Sequence, residues 1–96
     1  MDQRGGYGMN RSEILDTAKA YITVDRANTH GSAEANFGLI AAYWSAHLNT
    51  NIKPHDVAVM MTLLKLARAK SNPMHADNAI DAAGYSALAG EIGSGE

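Results

Sequence analysis

At 96 residues the chain makes one small domain, and its 46% apolar content is too high for a disordered segment. A formal charge of −2 argues against a general nucleic-acid binder, which carries a basic excess. There is no cysteine, which excludes disulfides and thiolate metal sites, and no apolar run is long enough to span a membrane.

Residues 1–11 begin MDQRGGYGMN, lack the apolar stretch of a signal peptide and read as a flexible lead-in. The first periodic segment covers residues 12–24, with Ser12 as the expected N-cap and Glu13 and Asp16 near the positive end of the helix. Ile14, Leu15, Ala18, Tyr21 and Ile22 form its apolar arc. The turn-rich stretch DRANTHG follows, and Ser32 is placed to cap a second helix over residues 33–48. Phe37, Ile40, Ala41, Trp44 and Leu48 share a face of that helix.

A third helix is expected from Pro54 or His55 to Lys70, because proline suits a first helical turn. Its centre, VAVMMTLLKLA, is apolar on nearly every side, which points to a central helix or one covered by a second subunit. Ser71, Asn72 and Pro73 break it. The fourth helix is expected from His75 to Ile92, ahead of a frayed tail at 93–96. Its alanines and Gly84 keep it thin, and Gly84 costs helix stability unless a close neighbour offsets it. No segment alternates as a strand does. Short connections favour antiparallel neighbours, so residues 12–92 read as an all-α, four-helix up-and-down bundle. Few large core residues and the apolar third helix point to a homo-oligomer formed through that helix.

On the fourth helix Asp77, Asp81 and Tyr85 recur every four residues and fall along one face. A buried carboxylate needs a cation, a metal or several donors. Lys65 and Arg68 share a side of the third helix, and a hairpin brings them beside the two aspartates. One reading is a structural ion-pair cluster that fixes the hairpin in register. The other is a divalent-cation site in which Asp77 and Asp81, completed by Glu34, hold Mg²⁺ for a phosphate ligand. A second cluster gathers Arg26, Asn28, Thr29, His30 and Asn36 at the start of the second helix, where free backbone N–H groups favour anions. It reads either as a phosphate site held by Arg26 or as an ordinary capped loop. The four histidines lie on separate elements without metal-ligand spacing, and no serine has a nucleophile-elbow context.

The stretch RANTHGSAEANFGLIAAYW from Arg26, followed by DVAVMMTLLKLARAKSNPMHADNAIDAAGY from Asp56, resembles a set of small phage and prophage proteins classed only as a domain of unknown function. The resemblance covers about Glu13 to Ile92 and implies a phage- or prophage-encoded helical protein in the bacterial cytoplasm. More distantly, the helix of Asp77, Asp81 and Tyr85, with Lys65 and Arg68 on the preceding helix, is similar to part of the MazG-like all-α nucleoside triphosphate pyrophosphohydrolases. That group binds Mg²⁺ with an ExxE pair on one helix and a second acid pair on another. The similarity implies that Asp77 and Asp81 form the second pair and that Glu34 supplies an acid of the first. In a nucleotide-binding reading Lys65, Arg68 and Arg26 meet phosphates, His30 is a further ligand-binding candidate, and Tyr85 either packs above the aspartates or stacks on a base. ExxE occurs nowhere in the chain. The expected function is therefore nucleotide binding, with or without Mg²⁺-dependent pyrophosphohydrolysis. The alternative is a non-catalytic phage protein that sequesters a nucleotide or cyclic-nucleotide signal or inhibits a host defence protein.

Overall fold

The computed structural model describes residues 8–25 and 33–95, apart from the side chains of Asp25, Ala33 and Glu34. Helix α1 spans Arg11–Ala20 and runs on as a π-helical turn, Tyr21–Asp25. Helices α2 (Ala33–Leu48), α3 (Pro54–Ser71) and α4 (Ala76–Gly95) follow, with no strand among the described residues. The protein is an all-α four-helix bundle, as its periodicities predict. The Ser32 cap and the loop cluster of Arg26 and His30 lie outside the described residues.

Asn10, rather than Ser12, caps α1. Its side-chain oxygen accepts the Glu13 N–H at 2.8 Å, and the Glu13 carboxylate accepts the Asn10 N–H at 2.9 Å. This reciprocal box needs an acid or amide three residues after the cap. Asn10 has Glu13 there, whereas Ser12 has Leu15. Between α2 and α3, Asn49 takes a left-handed conformation (φ 53°), a common helix ending for asparagine. The Ser45 hydroxyl then accepts the Ile52 N–H at 2.8 Å and donates to the Ile52 carbonyl at 3.1 Å, clamping the turn. Helix α4 continues past the expected end at Ile92, and the Ser94 hydroxyl donates back to the Gly90 carbonyl at 2.7 Å.

The longest packed contact is the α3–α4 hairpin, and the other two helices divide it between them. Ile14 borders a cavity shared with Ala76 and Ala79, while Ile22 sits so close to Gly84 that a Cβ there would lie 3.0 Å from Ile22 Cγ2. Helix α1 therefore lines the first half of α4. Phe37 and Ala41 of α2 join Val57 and Ala58 of α3 and Leu88, Ala89 and Ile92 of α4 in one buried cluster, so α2 packs on α3 and meets the second half of α4 through side chains such as Phe37. The thinness of α4 lets α1 approach closely, and the nearness of Ile22 offsets the cost of Gly84 in a helix.

Three expectations about the core change. Leu15, Tyr21 and Leu48, placed on apolar faces by periodicity, are all exposed. Among the described residues helix α1 packs mainly on α4, so only a narrow strip around Ala18 is covered, and Leu48 lies at the very end of α2. Helix α3 is not central. Val57 and Ala58 are fully buried, but Val59, Met60, Leu63, Leu64 and Leu66 remain 36–58% exposed on its outer side and flank. None of the helices among the described residues is long and apolar enough to cross a membrane.

Candidate functional site

The polar residues of the hairpin separate into two groups. Midway along it, Lys65 Nζ lies 3.0 Å from Asp81 Oδ2, with the side chains 17% and 33% exposed. Asp81 is flanked on α4 by the buried Ile80 and Ala82, and Lys65 reaches it from the inward side of α3. Each charge removes the cost of burying the other. One turn earlier, Asp77 is mostly exposed, and its Oδ2 lies 3.6 Å from His75 Nε2. Its place in the first turn of α4 suits the helix dipole. The two aspartates thus differ in role: one is an internal ion pair, the other a solvated residue at a helix start.

Arg68 does not join the aspartates. It lines an open cavity of about 490 Å³ at the α3–α4 turn, together with Ser71, Asn72, His75 and Asn78. The turn is shaped by backbone bonds from Asn72 N–H to the Arg68 carbonyl (2.9 Å), from His75 N–H to the Asn72 carbonyl (3.2 Å) and from Asn78 N–H to the His75 carbonyl (3.2 Å). Those bonds hold a guanidinium, an imidazole, a hydroxyl and two amides around one volume.

Asn78 is the unusual member. It is only 8% exposed, and its side chain has no hydrogen-bond partner among the described residues. A buried amide that lacks a partner costs on the order of 1–3 kcal/mol. Such a residue calls for an explanation, and a ligand in the cavity would supply one. Sequence reasoning passed over Asn78 in favour of the charged residues beside it. The available signal was the seam of 78, 82, 85, 89 and 92, spaced alternately by four and three, in which Asn78 is the one amide among residues that turn inward.

Tyr85 lies one turn beyond Asp81 and packs into the core, its ring centroid 6.2 Å from that of Phe37. Arg26 and His30 lie outside the described residues, as does the side chain of Glu34. Among the described residues, no group of three His, Asp or Glu side chains is gathered closely enough to hold a metal ion. With Lys65 already against Asp81, the described acids do not fit Mg²⁺ by themselves.

Two phage proteins are similar to the chain. The Gene 55 protein of Mycobacterium phage L5 is 43% identical over 76 residues, covering 78% of this chain and 49% of that protein. The Gene 55 protein of Mycobacterium phage D29 is 39% identical over 72 residues, covering 75% of this chain and 48% of that protein. The chain thus spans about half the length of the curated relatives it matches. No solved structure shows significant similarity to it. A family model described as Domain of unknown function (DUF6378) matches residues 13–93. That match runs from the first turn of α1 into the last turns of α4 and takes in the whole hairpin, so the chain belongs to the DUF6378 family, as its likeness to phage proteins of unknown function implied.

Proposed function

We propose that this domain is a phage-type binding protein that holds a phosphate-bearing small molecule of the nucleotide class at the α3–α4 turn, without hydrolysing it. The observation that carries the reading is the buried, unpartnered amide of Asn78 lining the same cavity as Arg68 and His75. A guanidinium is matched to phosphate oxygens, and an amide offers both donors and an acceptor to a phosphate or a base edge. The cavity size is in the range of small-molecule sites. Hydrolysis is left out because the Lys65–Asp81 pair occupies the carboxylate that metal-assisted attack would need. Sequestration of a nucleotide signal in the infected cell is the corresponding biological role.

Thermal unfolding with a panel of nucleotides, cyclic nucleotides and pyrophosphate, each with and without Mg²⁺, tests this. A ligand present at a hundred times its Kd stabilises the native state by about 2.7 kcal/mol, which for a domain of this size raises Tm by on the order of 10 °C. The rise should be lost in Arg68→Ala while the unliganded melt stays close to wild type. If no member of the panel moves Tm, the reading is wrong. Release of pyrophosphate from a triphosphate in the Mg²⁺ arm would restore the hydrolase.

Exposed Leu39 and Tyr43 on the outward side of α2 favour a second reading, contact with a host protein. It predicts that Tyr43→Ala abolishes a complex recovered from infected cells while leaving every nucleotide response unchanged.

A further inference from the structure

We propose that the outer face of α3 is a homodimer interface in which two α3 helices pair antiparallel about a two-fold axis at Leu63. Val59, Leu63 and Leu66 are exposed on the side of α3 turned away from the buried Val57 and Ala58, and Met60 and Leu64 are exposed on the flank between that side and Val57. At 100° per residue they occupy a continuous arc that includes Ala67 but no charge between 57 and 64. An apolar surface of this extent on a small monomer marks a contact with another macromolecule.

The charges at its ends identify the occupant. Asp56 lies seven residues before Leu63 and Lys70 seven after, so all three follow one stripe with a drift of about 20° per step. Antiparallel pairing centred on Leu63 sets Asp56 of each copy against Lys70 of the other. It also sets Met60 against Leu66 and Val59 against Ala67, with Leu63 on the axis. A parallel pair would face Asp56 with Asp56 and Lys70 with Lys70. The stripe is thus self-complementary in one direction only, as a two-fold interface requires. The helix dipoles act in the same sense, since each positive end meets a negative one. Asp56 retains capacity for this contact, because its bond to the Lys53 N–H, 2.9 Å, engages Oδ2 alone. One helix face about 27 Å long offers less than the ~800 Å² that each partner gives a standard interface. The dimer is therefore reversible, with a dissociation constant on the order of ten micromolar.

Analytical ultracentrifugation of the full chain across that concentration range is the test, with circular dichroism confirming that each variant folds. Wild type should pass from monomer to dimer, and Leu63→Glu should stay monomeric throughout. Lys70→Glu and Asp56→Lys, each alone, set like charges opposite one another at both ends and should weaken dimerisation about tenfold. Mixed together, these two variants pair Lys with Glu and Lys with Asp, and a heterodimer of wild-type strength should form. Asp56→Lys also removes a helix cap, so a second measurement stands apart from it. The chain has no cysteine, and oxidised Leu63→Cys should cross-link at the axis. Lys70→Cys should not, its two sulfurs lying some 20 Å apart. A wild type that is monomeric at every concentration overturns the proposal and leaves the face to a different protein. A dimer that survives Leu63→Glu, or cross-links through Lys70→Cys, overturns it as well.

Discussion

Asn78 and the Lys65–Asp81 pair show how differently two buried polar features behave under substitution. Asn78 has no partner to lose, so Asn78→Leu removes an unsatisfied amide and fills similar space with apolar atoms. Urea denaturation should show the unliganded protein gaining about 1–2 kcal/mol, while any nucleotide-induced rise in Tm disappears. A loss of stability instead would mean that the amide is satisfied in solution and is a structural element. For the ion pair, the two half-deletions should be unequal. Asp81→Ala leaves a lysine 17% exposed without a counter-charge and should cost about 2 kcal/mol, below the full penalty of a completely buried pair. Lys65→Met replaces the lysine stem with an apolar one and leaves Asp81 with a third of its side chain in water, so its cost should stay under about 1 kcal/mol. Equal losses would show that the two charges are desolvated to the same degree. The Lys65–Asp81 pair was legible because a carboxylate on an apolar arc must be answered by a cation within reach. Arg68 was assigned to the same cluster wrongly, since sequence spacing gives the face of a helix but not which end of a hairpin a long side chain turns towards.

Helix boundaries were legible where punctuation was strong and shifted where capping chemistry competed. Pro54 and the Ser71–Asn72–Pro73 break mark α3 closely, but two candidate caps lay close together at the start of α1, and the reciprocal bond to Glu13 selects Asn10. Asn10→Ala should therefore cost about 1 kcal/mol in a denaturant titration, and Ser12→Ala almost nothing. Gly84 poses the sharper test of how α1 meets α4. Alanine there gains up to about 1 kcal/mol of helix propensity. Its methyl carbon would lie 3.0 Å from Ile22 Cγ2, and a β-branched side chain has little freedom at χ1 to move aside. Overpacking of this kind costs about 1–3 kcal/mol, so Gly84→Ala should lose about 1 kcal/mol net. With Ile22→Ala already in place the obstacle is gone, and Gly84→Ala should then stabilise. That reversal of sign, read from a double-mutant cycle, is specific to the Ile22 contact. A loss of the same size in both backgrounds would put the strain elsewhere in α4.

At the scale of the whole molecule, periodicity predicted four helices but not how they share a core, because an apolar arc shows that a face is covered without showing by how much. The buried cluster around Phe37 and Val57 draws on α2, α3 and α4, whereas α1 contributes Ala18 as its one buried residue and leans on α4 through Ile14 and Ile22. That asymmetry implies two levels of stability. Opening α1 exposes little apolar surface, so it can detach while the α2–α3–α4 unit stays folded. Native-state hydrogen exchange should find the amides around Val57, Ala58, Leu88 and Ala89 protected to the level of global unfolding. Those of α1 should open at least about 2 kcal/mol more easily, roughly thirty-fold less protected. Gly84→Ala should widen this gap by weakening the α1–α4 contact without touching the cluster. Equal protection in α1 and α3 would instead make α1 a full member of one cooperative unit, and the Ile22–Gly84 contact would then carry far more of the fold than its small area implies.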